Sequence, residues 1–90
     1  MRTMYISLPT AAAVQKFVEQ ISRLDGQFDI LSDEYILDAK SLMGIFQLDL
    51  TRPLKLSIEK ATKENIQAID QFIVRKPPEM RKLKTVNGGL

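Results

Sequence analysis

Two hydroxyls sit where a helix amide or a phosphoryl group could use them. Thr10 comes just before the apolar stripe Val14, Phe17, Val18, Ile21 and Leu24, and Ser41 stands in the block Lys40-Ser41-Leu42-Met43-Gly44-Ile45-Phe46-Gln47-Leu48. A hydroxyl so placed can accept a hydrogen bond from an early helix amide. A phosphoryl group on Ser41 would bring about −1.5 to −2 charges to exposed amides and the positive end of the helix dipole. Ser41 therefore has two readings, a regulatory phosphorylation site or a capping serine. Thr10 has no base near it in sequence to make it a nucleophile, and its reading is the cap.

Other chemistry is thin. The chain has no histidine and no cysteine, which removes disulfides, thiolate metal sites and histidine- or cysteine-based triads and argues against zinc. Asp25, Asp29, Asp33, Glu34, Asp38 and Asp49 are scattered around turns and strand ends, without acid–base pairing or calcium-loop spacing, and read as solvated surface. The four glycines form neither a phosphate loop nor a dinucleotide fingerprint. No cofactor, no metal and no catalytic activity are expected.

Apolar contact is the remaining resource. Leu42, Met43 and Phe46 fall on one part of the short helix read over 41–48, while Ile45 and Leu48 are expected to face the core. The first three read either as a protein-docking patch, which methionine suits, or as core packing. Gly44 costs about 1 kcal/mol of helix propensity relative to alanine, which a close approach by neighbouring backbone would explain. Charge is uneven: residues 1–73 hold eight Lys/Arg against ten Asp/Glu, whereas residues 74–90 hold Arg75, Lys76, Arg81, Lys82 and Lys84 against Glu79.

The elements that must position these residues follow from periodicity. Alternation marks strands over 2–8, 27–32, 35–38 and 54–59, and the i, i+3, i+4 spacing marks helices over 11–24, 41–48 and from Thr62 through Ile66, Ile69, Phe72 and Ile73. Gly26 suits a left-handed C-cap and Ser32-Asp33-Glu34 a turn. Pro77-Pro78 forbids continuation of the last helix. The order β-α-β-β-α-β-α without regular βαβ alternation argues for an α+β domain with helices on one face of an antiparallel sheet. No apolar run approaches the roughly 20 residues of a membrane span and the start is too short and polar for a signal peptide. A cytoplasmic location without membrane insertion is expected.

The block Lys40-Ser41-Leu42-Met43-Gly44, between the third strand and a short helix, resembles the regulatory-serine signature of the HPr family, the phosphocarriers of the bacterial sugar phosphotransferase system. The resemblance covers about residues 1–73 and implies an open-faced sandwich of a four-stranded antiparallel sheet with three helices on one face. It divides the chain into an HPr-like domain, 1–74, and a basic C-terminal extension, 75–90. Counting back without a gap puts Thr10 where the family has its phosphoryl-accepting histidine and Ala12 where it has the adjacent arginine. A threonine phosphoester is a poor donor, and Ala12 lacks the forked donors that bind a phosphoryl group. The resemblance therefore implies a bacterial protein that carries no phosphate on histidine and serves in sugar transport regulation as a protein-binding module. It makes Ser41 the phosphorylation candidate and Leu42, Met43 and Phe46 the partner surface. Partners of the implied kind are an HPr-type serine kinase, a transcription regulator or a transporter component. The alternative is a nucleic-acid- or ribosome-associated protein using the basic extension, for which five cations without an interleaved aromatic are weak support.

Overall fold

Alternating side chains give the described sheet a face that packs the core and a face that does not, although Ser57 on the second is also buried. The computed structural model describes residues 1–77. Most of the expected extension at 75–90, and with it the nucleic-acid reading, lies outside the described residues. The elements run β1 (Arg2–Ile6), α1 (Ala11–Ile21), β2 (Phe28–Leu31), β3 (Ile36–Asp38), α2 (Leu42–Ile45), β4 (Leu54–Ile58), α3 (Lys63–Ala68), a 3₁₀ turn (Asp70–Phe72) and β5 (Ile73–Val74). All pairings are antiparallel, in the order β3-β2-β4-β1-β5.

Register puts Met4 opposite Leu56 and Leu56 opposite Ile30, with Ile58 opposite Phe28. These residues share one face with Ile6 and Leu54, and α1, α2 and α3 pack there. Val14, Phe17 and Ile21 from α1, Ile45 from α2, and Ile69 and Phe72 after α3 join the strand residues in one buried cluster. Phe17 and Phe28 are fully buried, each stabilising the fold by roughly 1.5–3 kcal/mol. The other face, with Thr3, Tyr5, Asp29, Leu31, Lys55 and Ser57, carries none of the described helices.

The expected sheet had four strands, and the described residues form five. The stripe through Ile66, Ile69, Phe72 and Ile73 was expected to be one helix, but the helix closes at Ala68 and the chain tightens into a 3₁₀ turn. Phe72 then packs edge-on to Phe17, at 5.4 Å and 86°, while its carbonyl accepts from the Ser7 amide at 2.8 Å. That anchor brings Ile73 and Val74 alongside β1, opposite Ile6 and Tyr5. β-Branched residues favour strands, and the free edge of β1 offers hydrogen-bonding partners that solvent would otherwise supply. Because Ile73 reaches the core side either way, apolar spacing alone could not separate helix from strand.

The α1 helix also ends earlier than the expected Leu24. Ser22 Oγ donates to the Val18 carbonyl at 2.6 Å, a local bond that competes with helix continuation. Gly26 does adopt the left-handed region, at φ +94°, yet it serves the turn into β2 rather than the cap, which is Ser22.

Candidate functional site

Ser41 is held by the turn that precedes it. Asp38 Oδ1 accepts from the Lys40 amide at 2.9 Å, and the Asp38 carbonyl accepts from the Ser41 amide at 3.0 Å. Asp38 is thus a structural turn acceptor rather than a merely solvated carboxylate. Ser41 leaves this turn in extended conformation, and its Oγ accepts from the Gly44 amide at 3.2 Å. It is half-buried, and it caps a helix of only four residues, whose dipole is small. The capping geometry is present.

The short helix divides its apolar residues unequally. Ile45 is fully buried and Leu48 packs against the core, as the spacing implies. Met43 is 72% exposed and Phe46 38% exposed. Leu42 packs partly against the core and also borders a shallow groove with Gln15, Val18, Glu19, Ser22 and Arg23 of α1 and its C-terminus. Leu42 therefore belongs to both core and surface, while Met43 and Phe46 stand on the surface next to Ser41.

Thr10 caps α1, its Oγ1 accepting from the Ala13 amide at 3.1 Å. Thr10 and Ala12 are both exposed at the start of that helix. Neither offers a base or a positive charge. Asp49 Oδ1 accepts from the Thr51 amide at 3.1 Å. The Thr51 hydroxyl and amide, with Arg52 nearby, hold its carboxyl below the usual carboxylate range. It lies in an exposed turn, so this steadies a loop rather than building an acid–base site. Among the described residues no group of three or more acidic side chains converges on a cation site, and no helix is long and apolar enough to cross a membrane.

No protein-family model matches the chain, and no curated protein does. Among solved structures, the crystal structure of HPr-C-His from Thermoanaerobacter tengcongensis matches with a TM-score of 0.64 at 28% identity, covering 79% of this chain and 89% of that one. The fold is HPr-like. Within this HPr-like fold the fifth strand is a two-residue addition to the sheet edge.

Three supports of the site were not read from the sequence. Lys40 Nζ donates to the Leu24 carbonyl at 3.2 Å and lies 5.8 Å from the Phe28 ring centroid, tying the Ser41 turn to the end of α1. Leu37 of β3 covers Gly44: a Cβ built there would meet Leu37 Cδ1 at 2.5 Å and Ser41 Oγ at 3.0 Å. Side chains, not the backbone expected, explain the glycine. Asn65, almost fully buried, donates from Nδ2 to the Asp25 and Lys60 carbonyls at 3.2 and 2.9 Å. Only Gly44 left a signal, a poor helix former inside a helical pattern; Lys40 and Asn65 look like ordinary surface residues.

Proposed function

We propose that this chain is a non-catalytic, HPr-like protein-binding module related to the phosphotransferase system, one that carries no phosphate on histidine. The observation that carries the reading is the exposure of Met43 and Phe46 beside Ser41 and the half-buried Leu42. An apolar patch of adaptable shape on a domain this small favours contact with another protein. The HPr-like fold supports the phosphotransferase relation. The chain contains no histidine to form a phosphoramidate. Thr10, at the position assigned to that histidine, would give a stable ester, and Ala12 leaves the anion unheld.

Regulation in this reading falls on Ser41. Transfer of the γ-phosphoryl group of ATP to Oγ forms the O–P bond, breaks the bond to the leaving ADP, gives the hydroxyl proton to the kinase and adds about −1.5 to −2 charges beside the patch. It also removes a compact acceptor from the Gly44 amide. Its consequence is a changed affinity for a partner on Leu42, Met43 and Phe46, such as a transcription regulator or transporter component.

The test has two arms. With phosphoenolpyruvate and the phosphotransferase system's first enzyme, no transferable acid-labile label should form on this chain. With ATP and an HPr-type serine kinase, mass mapping should place one phosphate on Ser41, and Ser41→Ala should abolish it. Label passing to a sugar-specific acceptor would refute the first arm, and modification elsewhere or none would refute the second.

A further inference from the structure

The outer edge of β3 leaves backbone hydrogen-bonding groups unused. The Ser32 amide donates to the Tyr35 carbonyl at 3.0 Å, and the Ala39 amide to the Phe28 carbonyl at 2.8 Å. Bonded and non-bonded pairs alternate along an antiparallel ladder, so Leu37 also turns its backbone towards β2, opposite Ile30. Ile36 and Asp38 therefore point theirs away from the sheet. The Asp38 carbonyl is taken by the Ser41 amide at 3.0 Å. The Ile36 amide, the Ile36 carbonyl and the Asp38 amide have no backbone partner among the described residues. Ile36 is 69% exposed and Tyr35 49%. Around them stand Asp33, Glu34 and Asp38, all exposed, with Asp29 opposite Asp38 on β2. Lys40, the nearest cation in sequence, is drawn away to the Leu24 carbonyl and the Phe28 ring.

We propose that this edge takes an extended basic segment of another protein as an added antiparallel strand. Main-chain bonds supply the hold in such pairings, and alternate side chains the selection. An aliphatic residue opposite Ile36 exchanges amide and carbonyl bonds with it, and basic side chains two positions to either side meet Glu34 and Asp38. A second copy of the chain is a poor occupant of this edge. Antiparallel pairing centred on Ile36 would set Glu34 of each copy against Asp38 of the other, and like charges placed opposite destabilise a strand pair. Short length and charge guard sheet edges against their own kind. Here the guarding charges are of one sign, so what repels a copy attracts a basic strand. The edge includes neither Met43 nor Phe46, and the inference stands or falls apart from that docking patch.

Amide hydrogen exchange on the full chain tests this residue by residue. The probe is the capped peptide acetyl-Thr-Lys-Thr-Val-Thr-Lys-Thr-amide, whose lysines lie two positions to either side of its valine. At saturating peptide the Ile36 amide should exchange at least about tenfold more slowly. The Leu37 amide, already bonded to β2, should change little. Two control peptides separate strand pairing from charge attraction. One carries glutamate for both lysines, and the other an N-methyl group on the valine amide, which removes the donor to the Ile36 carbonyl. Neither should protect Ile36. Glu34→Gln and Asp38→Asn should each weaken binding by about twofold to fivefold, the scale of an exposed ion pair. The asparagine keeps Oδ1 for the Lys40 amide, and circular dichroism checks that both variants are folded. Failure of the lysine peptide to bind, equal protection by either control peptide, or protection confined to other segments would overturn the inference. An edge already covered by residues 78–90 would leave the peptide unbound and would overturn it equally.

Discussion

Replacing Gly44 by alanine sets helix propensity against packing, and the two disagree in sign. Propensity alone favours alanine by about 1 kcal/mol in a helix interior. Geometry opposes it, since the added Cβ would lie 2.5 Å from Leu37 Cδ1 and 3.0 Å from Ser41 Oγ. Carbon atoms settle near 3.5–4.0 Å, so the Leu37 methyl must move by roughly 1 Å. Leu37 also packs against the core cluster, and its displacement falls in the overpacking range of about 1–3 kcal/mol. The Ser41 cap, at 3.2 Å from the Gly44 amide, would be strained as well, a contribution of about 0.5–1 kcal/mol. The net expectation is a loss of about 1–2 kcal/mol of unfolding free energy, read by equilibrium urea denaturation with an unchanged m-value. Leu37→Ala in the same background should relieve part of it, giving a favourable coupling of about 1 kcal/mol in a double-mutant cycle. A stabilised Gly44→Ala variant, or a cycle with no coupling, would show that Leu37 does not hold this helix as described.

Other outcomes follow from the same geometry. Asn65→Ala should cost about 2 kcal/mol, because two carbonyls each lose a bond of about 1 kcal/mol; chemical denaturation measures it, and a change under about 0.5 kcal/mol would contradict the bridging role. Asp49 should titrate below a free aspartate in an NMR pH series, and Thr51→Val should raise it towards the ordinary value. Since the folded pKa is the depressed one, any stability it contributes is full above about pH 4 and is lost as pH falls through the folded value. Met43→Ala should leave unfolding free energy within about 0.5 kcal/mol of wild type, as expected of an exposed residue; a larger loss would place Met43 in the core.

The sequence made the sheet and α1 legible because their apolar periods are long and regular. Leu54, Leu56 and Ile58 alternate through a strand, and Val14, Phe17 and Ile21 keep one helical face. It made β5 illegible because Ile73 reaches the core from a helix or a strand, and only the anchoring of Phe72 against Phe17 and Ser7 decides between them. At the site, the caps at Thr10 and Ser41 were readable from residue type and position. The hold of Lys40 on Leu24 and of Asn65 on Asp25 joins segments far apart in the chain, and no local pattern carries that information. The mixed position of Leu42 was hidden for the same reason, since it depends on how α2 lies against α1.

The most direct test of the docking account is an amide NMR titration of the ¹⁵N-labelled chain with a transcription regulator that binds HPr-type proteins. The account predicts that the largest shifts cluster on Lys40–Phe46 and the facing side of α1. It also predicts that Met43→Ala combined with Phe46→Ala weakens binding at least about tenfold, the equivalent of 1.4 kcal/mol, while the double variant stays folded. Shifts concentrated elsewhere on the domain, or an affinity unmoved by the double substitution, would contradict it.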